Sequence, residues 1–193
     1  MKRMVLALAL CGTALAKKGP VTAIDEEAAV YVEDQVMVRG SVLSAAKEAV
    51  SDIFGKIGVH IRWESGSPPS NPVACRNIVL IIQENAPDDA RAGVMARTNL
   101  TNDHIHVFYE RIRPSSDFWP NFECRVLTHV IAHEIGHALQ GLNRHSDTGM
   151  MKAVWTASDR VRIMNGSLPF SPIDVGLIHA GAARCQLAAD GTK

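Results

Sequence analysis

The chain has 193 residues, with 20 basic and 20 acidic side chains. That is enough for one compact domain and too few for two comfortable ones. Zero net charge gives no support for a nucleic-acid or anionic-membrane partner. Aromatic residues make up only 5% of the chain, so the core has to be mainly aliphatic.

The first residues have the layout of an export signal: a basic start, MKRM, then the short apolar run VLALALCGTALA. The run is too short to span a bilayer. Ala14-Leu15-Ala16 has the small-x-small form of a cleavage site, so residues 1–16 are predicted to be a signal peptide and 17–193 a single exported domain. Leu10 precedes Cys11 where a lipoprotein signal would place a small residue. A secreted or periplasmic location follows, with no stable membrane insertion after cleavage. Cys75, Cys124 and Cys185 then remain. In an oxidising compartment they allow at most one internal disulfide and leave one thiol over.

Residues 28–34, AAVYVED, alternate like a first strand. Val42, Leu43, Ala46, Ala49, Val50, Ile53 and Phe54 then recur at helical spacing. Ser41 is placed to cap that helix, and Gly55 with Gly58 to end it. VHIRWE, 59–64, alternates again, whereas CRNIVLIIQ, 75–83, is continuously apolar and fits a strand buried on both faces. VMARTN, 94–99, is predicted to be an edge strand and HIHVFYE, 104–110, another strand. A loop over 113–121 leads to a helix from 122 to 141, with Asn121 as its cap and Gly141 as its stop. After a loop to about 157 come a short helix from Ser158, a turn bracketed by Pro169 and Pro172, and a final helix over 172–185.

The chemistry sits on the 122–141 helix. His133-Glu134-Ile135-Gly136-His137 places two imidazoles one turn apart on one face. From there both can reach a single ion at about 2.0–2.1 Å. Glu134, beside the first ligand, is placed to act as a general base on a water at that ion. Burying a glutamate between two histidines without a purpose would be costly. A catalytic zinc site takes three protein ligands and keeps one position open. No glutamate follows Glu134, so a later Glu is not available as the third. Asp147, Asp159 and Asp174 stay open, as does a histidine returned by a chain reversal at a glycine, for which Gly141 and His145 are placed.

The stretch HEIGHALQGLNRHSDTGMM resembles the metzincin metallopeptidases, whose pattern is H-E-x-x-H-x-x-G-x-x-H followed by a Met-turn. Here the glycine comes one residue late, at Gly141 and not at Gln140. The last histidine comes two late, at His145 and not at Asn143. The spelling is also similar to that of a group of exported bacterial proteins, predicted zinc proteases with HEIGH, a late glycine, HS and a Gly-x-Met. The specific part of the likeness spans about 133–151, with a weaker extension over Trp155 to Asp159.

The resemblance implies an α/β zincin with a twisted mixed sheet and two long helices in an upper part, about 28–141. A small, mostly helical C-terminal part, about 142–193, would form the floor. It implies one zinc ion on His133, His137 and His145, Met151 as the Met-turn methionine, and a peptide or protein substrate paired to the 94–99 edge. A zinc hydrolase of a non-peptide amide, or a zinc-containing binding protein without turnover, stands as the alternative. No tyrosine follows Tyr109, so none past the Met-turn can help bind an oxyanion. His129 lies about 12 Å along the helix from His137 and is read as packed or hydrogen-bonded. His104 and His106, on one strand face, are read as solvated, and His60 and His179 carry no signal.

Overall fold

The computed structural model describes residues 26–69, 77–113 and 121–190, with only the backbone described beyond residue 184. The segment expected to be an export signal, Cys75 and the Cys185 side chain lie outside the described residues. Cys124 is a half-buried free thiol.

Five strands form one mixed sheet in the order β2-β1-β3-β5-β4: β1 is Glu26–Asp34, β2 Val59–Ser65, β3 Asn77–Gln83, β4 Ala96–Asn99 and β5 His104–Phe108. Contacts β1–β2, β1–β3 and β3–β5 are parallel; β4 runs antiparallel to β5 and forms an edge. Helix α1, Gly40–Gly55, crosses from β1 to β2, and helix α2, Phe122–Gln140, packs on α1, β4 and β5. Alternate strand residues make one core with these helices. Val30, Ile61, Leu80, Ile105 and Val107 meet Val50, Phe54, Leu127, Ile131 and Ile135. The central strand β3 is buried from Ile78 through Ile82, which accounts for its unbroken apolar run.

Local signals fixed element types better than ends. Helix α1 begins at Gly40, with Arg39 at the cap position and no side-chain cap bond, so Ser41 lies inside the first turn and is not the cap. Asn121 stands at the start of α2 in the left-handed region, φ 67°, and its side chain caps nothing. Helix α3 is Ala157–Asn165, and Thr156 rather than a residue near Ser158 opens it in a reciprocal capping box with Asp159. After Phe108 the chain turns at Tyr109–Arg111 and does not extend β5 to residue 110. Helix α4 runs Pro172–Asp190, past the expected end at 185.

The segment from Leu142 to Ser171 closes the lower side of α2. Gly149, at φ +76°, lets the chain pass so close to Pro169 that a Cβ there would sit 2.3 Å from the Pro169 carbonyl oxygen. The amide of Met150 donates to that same carbonyl at 2.8 Å. Helix α4 returns across the C-terminal end of α2 at Gly181, where a Cβ would lie 1.9 Å from the carbonyl oxygen of Leu139.

Candidate metal centre

Helix α2 is buried almost throughout its second half, because the sheet, α1, α4 and the lower segment surround it. His133, Glu134 and His137 are therefore all buried polar groups, and each needs a partner. Helix α2 ends where Gly141 adopts φ 65°, and the Gly141 amide bonds back to the carbonyls of His137 and Ala138. This left-handed cap is open to glycine at little steric cost. It turns the chain so that the Leu142 carbonyl accepts a hydrogen bond from His137 Nδ1 at 2.9 Å. His133 Nδ1 donates in the same way to the Met150 carbonyl at 2.8 Å.

Those two bonds assign the protons. A neutral imidazole with its N–H at Nδ1 carries a lone pair at Nε2. The two Nε2 atoms lie 3.0 Å apart, so two lone pairs converge on one small volume with no proton between them. Burial lowers the pKa of His133 to about 4, with the Met150 bond opposing and His145 adding to the fall. Burial, followed by the neighbouring His133, also lowers that of His137. Uncharged imidazoles with converging lone pairs are the donor set that a borderline cation such as zinc takes.

His145 joins them from the loop after Gly141. Its ring centre is 5.4 Å from that of His133 and 4.9 Å from that of His137. Ligand atoms of the three all lie within 4.8 Å of one another, the one such group of metal-binding side chains among the described residues. His145 is the exposed member. Its position depends on its neighbours. Asp174, buried at the start of α4, accepts from Arg144 Nη1 at 2.9 Å and from Ser146 Oγ at 2.5 Å, and is itself held by Ser171. Burial alone would raise the Asp174 pKa, but the bonds from Ser146, Ser171 and Arg144 outweigh it and keep the group below the ordinary carboxylate range. The Ser146 amide also bonds to the Met151 carbonyl at 2.8 Å. Both chain neighbours of His145 are thus tied down, Arg144 to α4 and Ser146 to α4 and to Met151.

The three aspartates that the sequence left open as ligands have other places. Asp159 caps α3 and pairs with Lys152. Asp174 supports the His145 loop from behind. Asp147 is exposed and is not part of the cluster.

Met151 is fully buried and packs under the site helix: a Cβ added at Gly136 would lie 2.6 Å from Met151 Sδ and 3.2 Å from Phe170 Cε1. Glycine at position 136 is thus the residue that lets this methionine approach. Met150 is equally buried, and its carbonyl is the one His133 bonds. His129 is kept away from the cluster: its Nε2 accepts from the Leu168 amide at 3.2 Å while Nδ1 donates to the Arg125 carbonyl at 2.7 Å. Trp155 stands edge-on to both His129 and His133, with ring centres 6.0 Å apart in each case.

Glu134 points to the other side. Its Oε2 accepts from the hydroxyl of Thr98 on β4 at 2.6 Å. Burial raises the pKa of Glu134, and the Thr98 bond and then the nearby His137 and His145 work against that rise. Trp155 was marked only as the first residue of the weaker likeness over Trp155 to Asp159, and Thr98 was marked by no motif. A threonine in a short strand has no spacing that announces it.

No family model and no curated protein matches the chain in sequence. Among solved structures, its fold is similar to that of the archaemetzincin from Methanopyrus kandleri, with a TM-score of 0.52 and 14% identity, over 84% of this chain and 97% of that one. At so low an identity the likeness speaks for fold, and it shows that the chain has a metzincin-like α/β fold: a five-stranded mixed sheet carrying the helix on which His133, Glu134 and His137 lie.

Proposed function

We propose that the chain is an exported, secreted or periplasmic zinc-dependent endopeptidase that hydrolyses peptide bonds, with one zinc on His133, His137 and His145. The observation that carries this reading is the convergence of two Nδ1-protonated imidazoles, Nε2 to Nε2 at 3.0 Å, with a third histidine beside them and Glu134 in the next position of the same helix. When bound, zinc would supply the Lewis acid that polarises a substrate carbonyl and brings the pKa of a water to about 7.

The rest is done by residues of the chain. Met150 and Leu142 hold the two imidazoles in one tautomer through their carbonyls. Asp174 holds the His145 loop through Arg144 and Ser146. Glu134, whose pKa is raised by burial, takes the proton of the attacking water and passes it to the leaving amine. Among the described residues strand β4 has a partner on one side only, β5. Its free edge suits an extended peptide that adds as a further strand.

The test is cleavage of a diverse peptide library by the zinc-loaded protein, wild type beside Glu134→Ala and His145→Ala. Cuts made by wild type alone and stopped by a chelator are expected. Glu134→Ala should keep its zinc and lose turnover, and His145→Ala should bind zinc more weakly. A folded wild type with one zinc and no cuts would move the assignment to a non-peptide amide or to a binding protein.

A further inference from the structure

Thr98 sits in the middle of the edge strand, in register with Ile105 of β5. Strand alternation turns it to the same face as Ala96, which belongs to the core. From there its hydroxyl reaches two atoms of one residue 36 positions away: Glu134 Oε2 at 2.6 Å and the Glu134 main-chain carbonyl at 3.1 Å. The hydroxyl's bond goes to Oε2, and the Thr98 main chain also acts on the same carboxylate.

A glutamate side chain has three rotatable torsions and loses entropy when a base must sit in one place. The Thr98 hydroxyl removes that freedom at the carboxylate itself. It also marks one oxygen as the anchor and leaves the other to exchange protons. A hydroxyl both donates and accepts, so the anchor is not tied to one charge state. While Glu134 is ionised, Thr98 donates to Oε2. Once Oε1 has taken a proton, Oε2 is still an acceptor and the Thr98 hydroxyl goes on donating to it. Thr98 is also part of the strand that, among the described residues, pairs on one side only, so the group that fixes the base and the backbone offered to a substrate strand belong to one element.

We propose that Thr98 is a positioning residue for Glu134: it selects Oε1 as the proton-exchanging oxygen and registers the base with the β4 edge along which an extended substrate lies. The proposal rests on the endopeptidase reading and gives it a residue of the sheet edge.

The test compares Thr98→Val, which keeps the shape and loses the hydroxyl, with Thr98→Ser, which keeps the hydroxyl and loses the methyl. On a cleaved peptide, kcat of Thr98→Val is expected to fall by about 10- to 100-fold, the loss typical of a misplaced catalytic group. Its KM should stay within about 3-fold and its zinc affinity within about 2-fold, because Thr98 touches none of the three histidines; these margins are an order-of-magnitude reading of an interaction made in the transition state alone. Thr98→Ser should keep kcat within about 3-fold of wild type on the same grounds. Packing of β4 alone would give the reverse order, with serine the worse variant. Equal kcat for wild type and Thr98→Val, or the reverse order, overturns the proposal. If the zinc-loaded wild type cuts no peptide at all, the functional reading fails by itself. Crystal structures of zinc-loaded wild type and Thr98→Val then decide the role of Thr98: a Glu134 carboxylate displaced in the variant supports it, and one left in place overturns it.

Discussion

Two glycines five residues apart in α4 should respond in opposite directions to the same substitution. Gly176 and Gly181 are both inside the helix. Replacing either with alanine removes backbone freedom from the unfolded chain and gains about 1 kcal/mol of helix propensity. At Gly176 a Cβ meets nothing within 4 Å, so Gly176→Ala should keep the whole gain. At Gly181 the Cβ would lie 1.9 Å from the Leu139 carbonyl oxygen and 3.0 Å from its carbon. A main-chain carbonyl inside a helix cannot rotate aside, so α4 has to move away from α2 by about 1 Å. That loosens Ile178 and Leu139, which are 0% and 2% exposed. Overpacking of this kind costs typically about 1–3 kcal/mol, and a main-chain obstacle belongs at the upper end. The net expectation is a loss of about 2 kcal/mol for Gly181→Ala and a gain of about 1 kcal/mol for Gly176→Ala. In a chain of this length about 1 kcal/mol shifts Tm by roughly 2–4 °C. Urea unfolding of the zinc-free protein reads the difference as a change in midpoint at constant slope. Gly181→Ala as stable as Gly176→Ala would refute the close approach of the two helices.

Because α4 also carries Asp174, its effect on the metal can be separated from its effect on stability. Asp174→Asn removes the charge that Arg144 and Ser146 share, and it should weaken zinc about 10- to 100-fold, the usual range for a group supporting a ligand. Competition against a chromogenic chelator measures this, and an unchanged affinity would separate Asp174 from the His145 loop. The zinc-free Glu134→Gln protein, which lacks the raised Glu134 carboxyl that would act in the opposite sense over the same range, should lose stability as the pH falls below about 6.5. His133 is held down to about 4 by burial, and burial also lowers His129 and His137. Between those values the unfolded chain binds protons that the folded one refuses, so stability falls with pH. His133 alone contributes a drop on the order of 3 kcal/mol across that window. Asp174, with its pKa depressed, adds its loss only below about pH 4, where the unfolded carboxylate takes up its proton. Urea midpoints of the zinc-free Glu134→Gln protein equal at pH 8 and pH 5 would contradict the histidine assignment.

Periodicity carried the element types because it reports which face of an element is buried. The apolar run of β3 meant burial on both faces, and Ile78 through Ile82 are buried. The edge role of β4 came from the resemblance and not from periodicity, and among the described residues β4 is an antiparallel edge. Periodicity says nothing about what lies across the gap. Thr98 and Glu134 are 36 residues apart, and their contact follows from how the sheet meets α2. Caps failed for a related reason. Ser41 and Asn121 are residue types that cap well, but the backbone enters α1 at Arg39, and it reaches Asn121 in a left-handed conformation.

The third position of the histidine cluster shows the same division between local and tertiary information. From residue types alone, three aspartates and His145 all stayed open; the resemblance favoured His145 although its spacing is two residues longer than the pattern. A longer loop has more conformations to lose, so something other than the turn at Gly141 has to hold it. In the structure the added length is fastened at several points: His137 Nδ1 to the Leu142 carbonyl, Arg144 and Ser146 to Asp174, and the Ser146 amide to the Met151 carbonyl. One of those fastenings is Asp174, a rival for the place that it instead secures for His145. The late histidine and the buried aspartate are therefore parts of one arrangement, and the spacing could lengthen because α4 supplies from outside the loop the constraint that a shorter turn would have supplied within it.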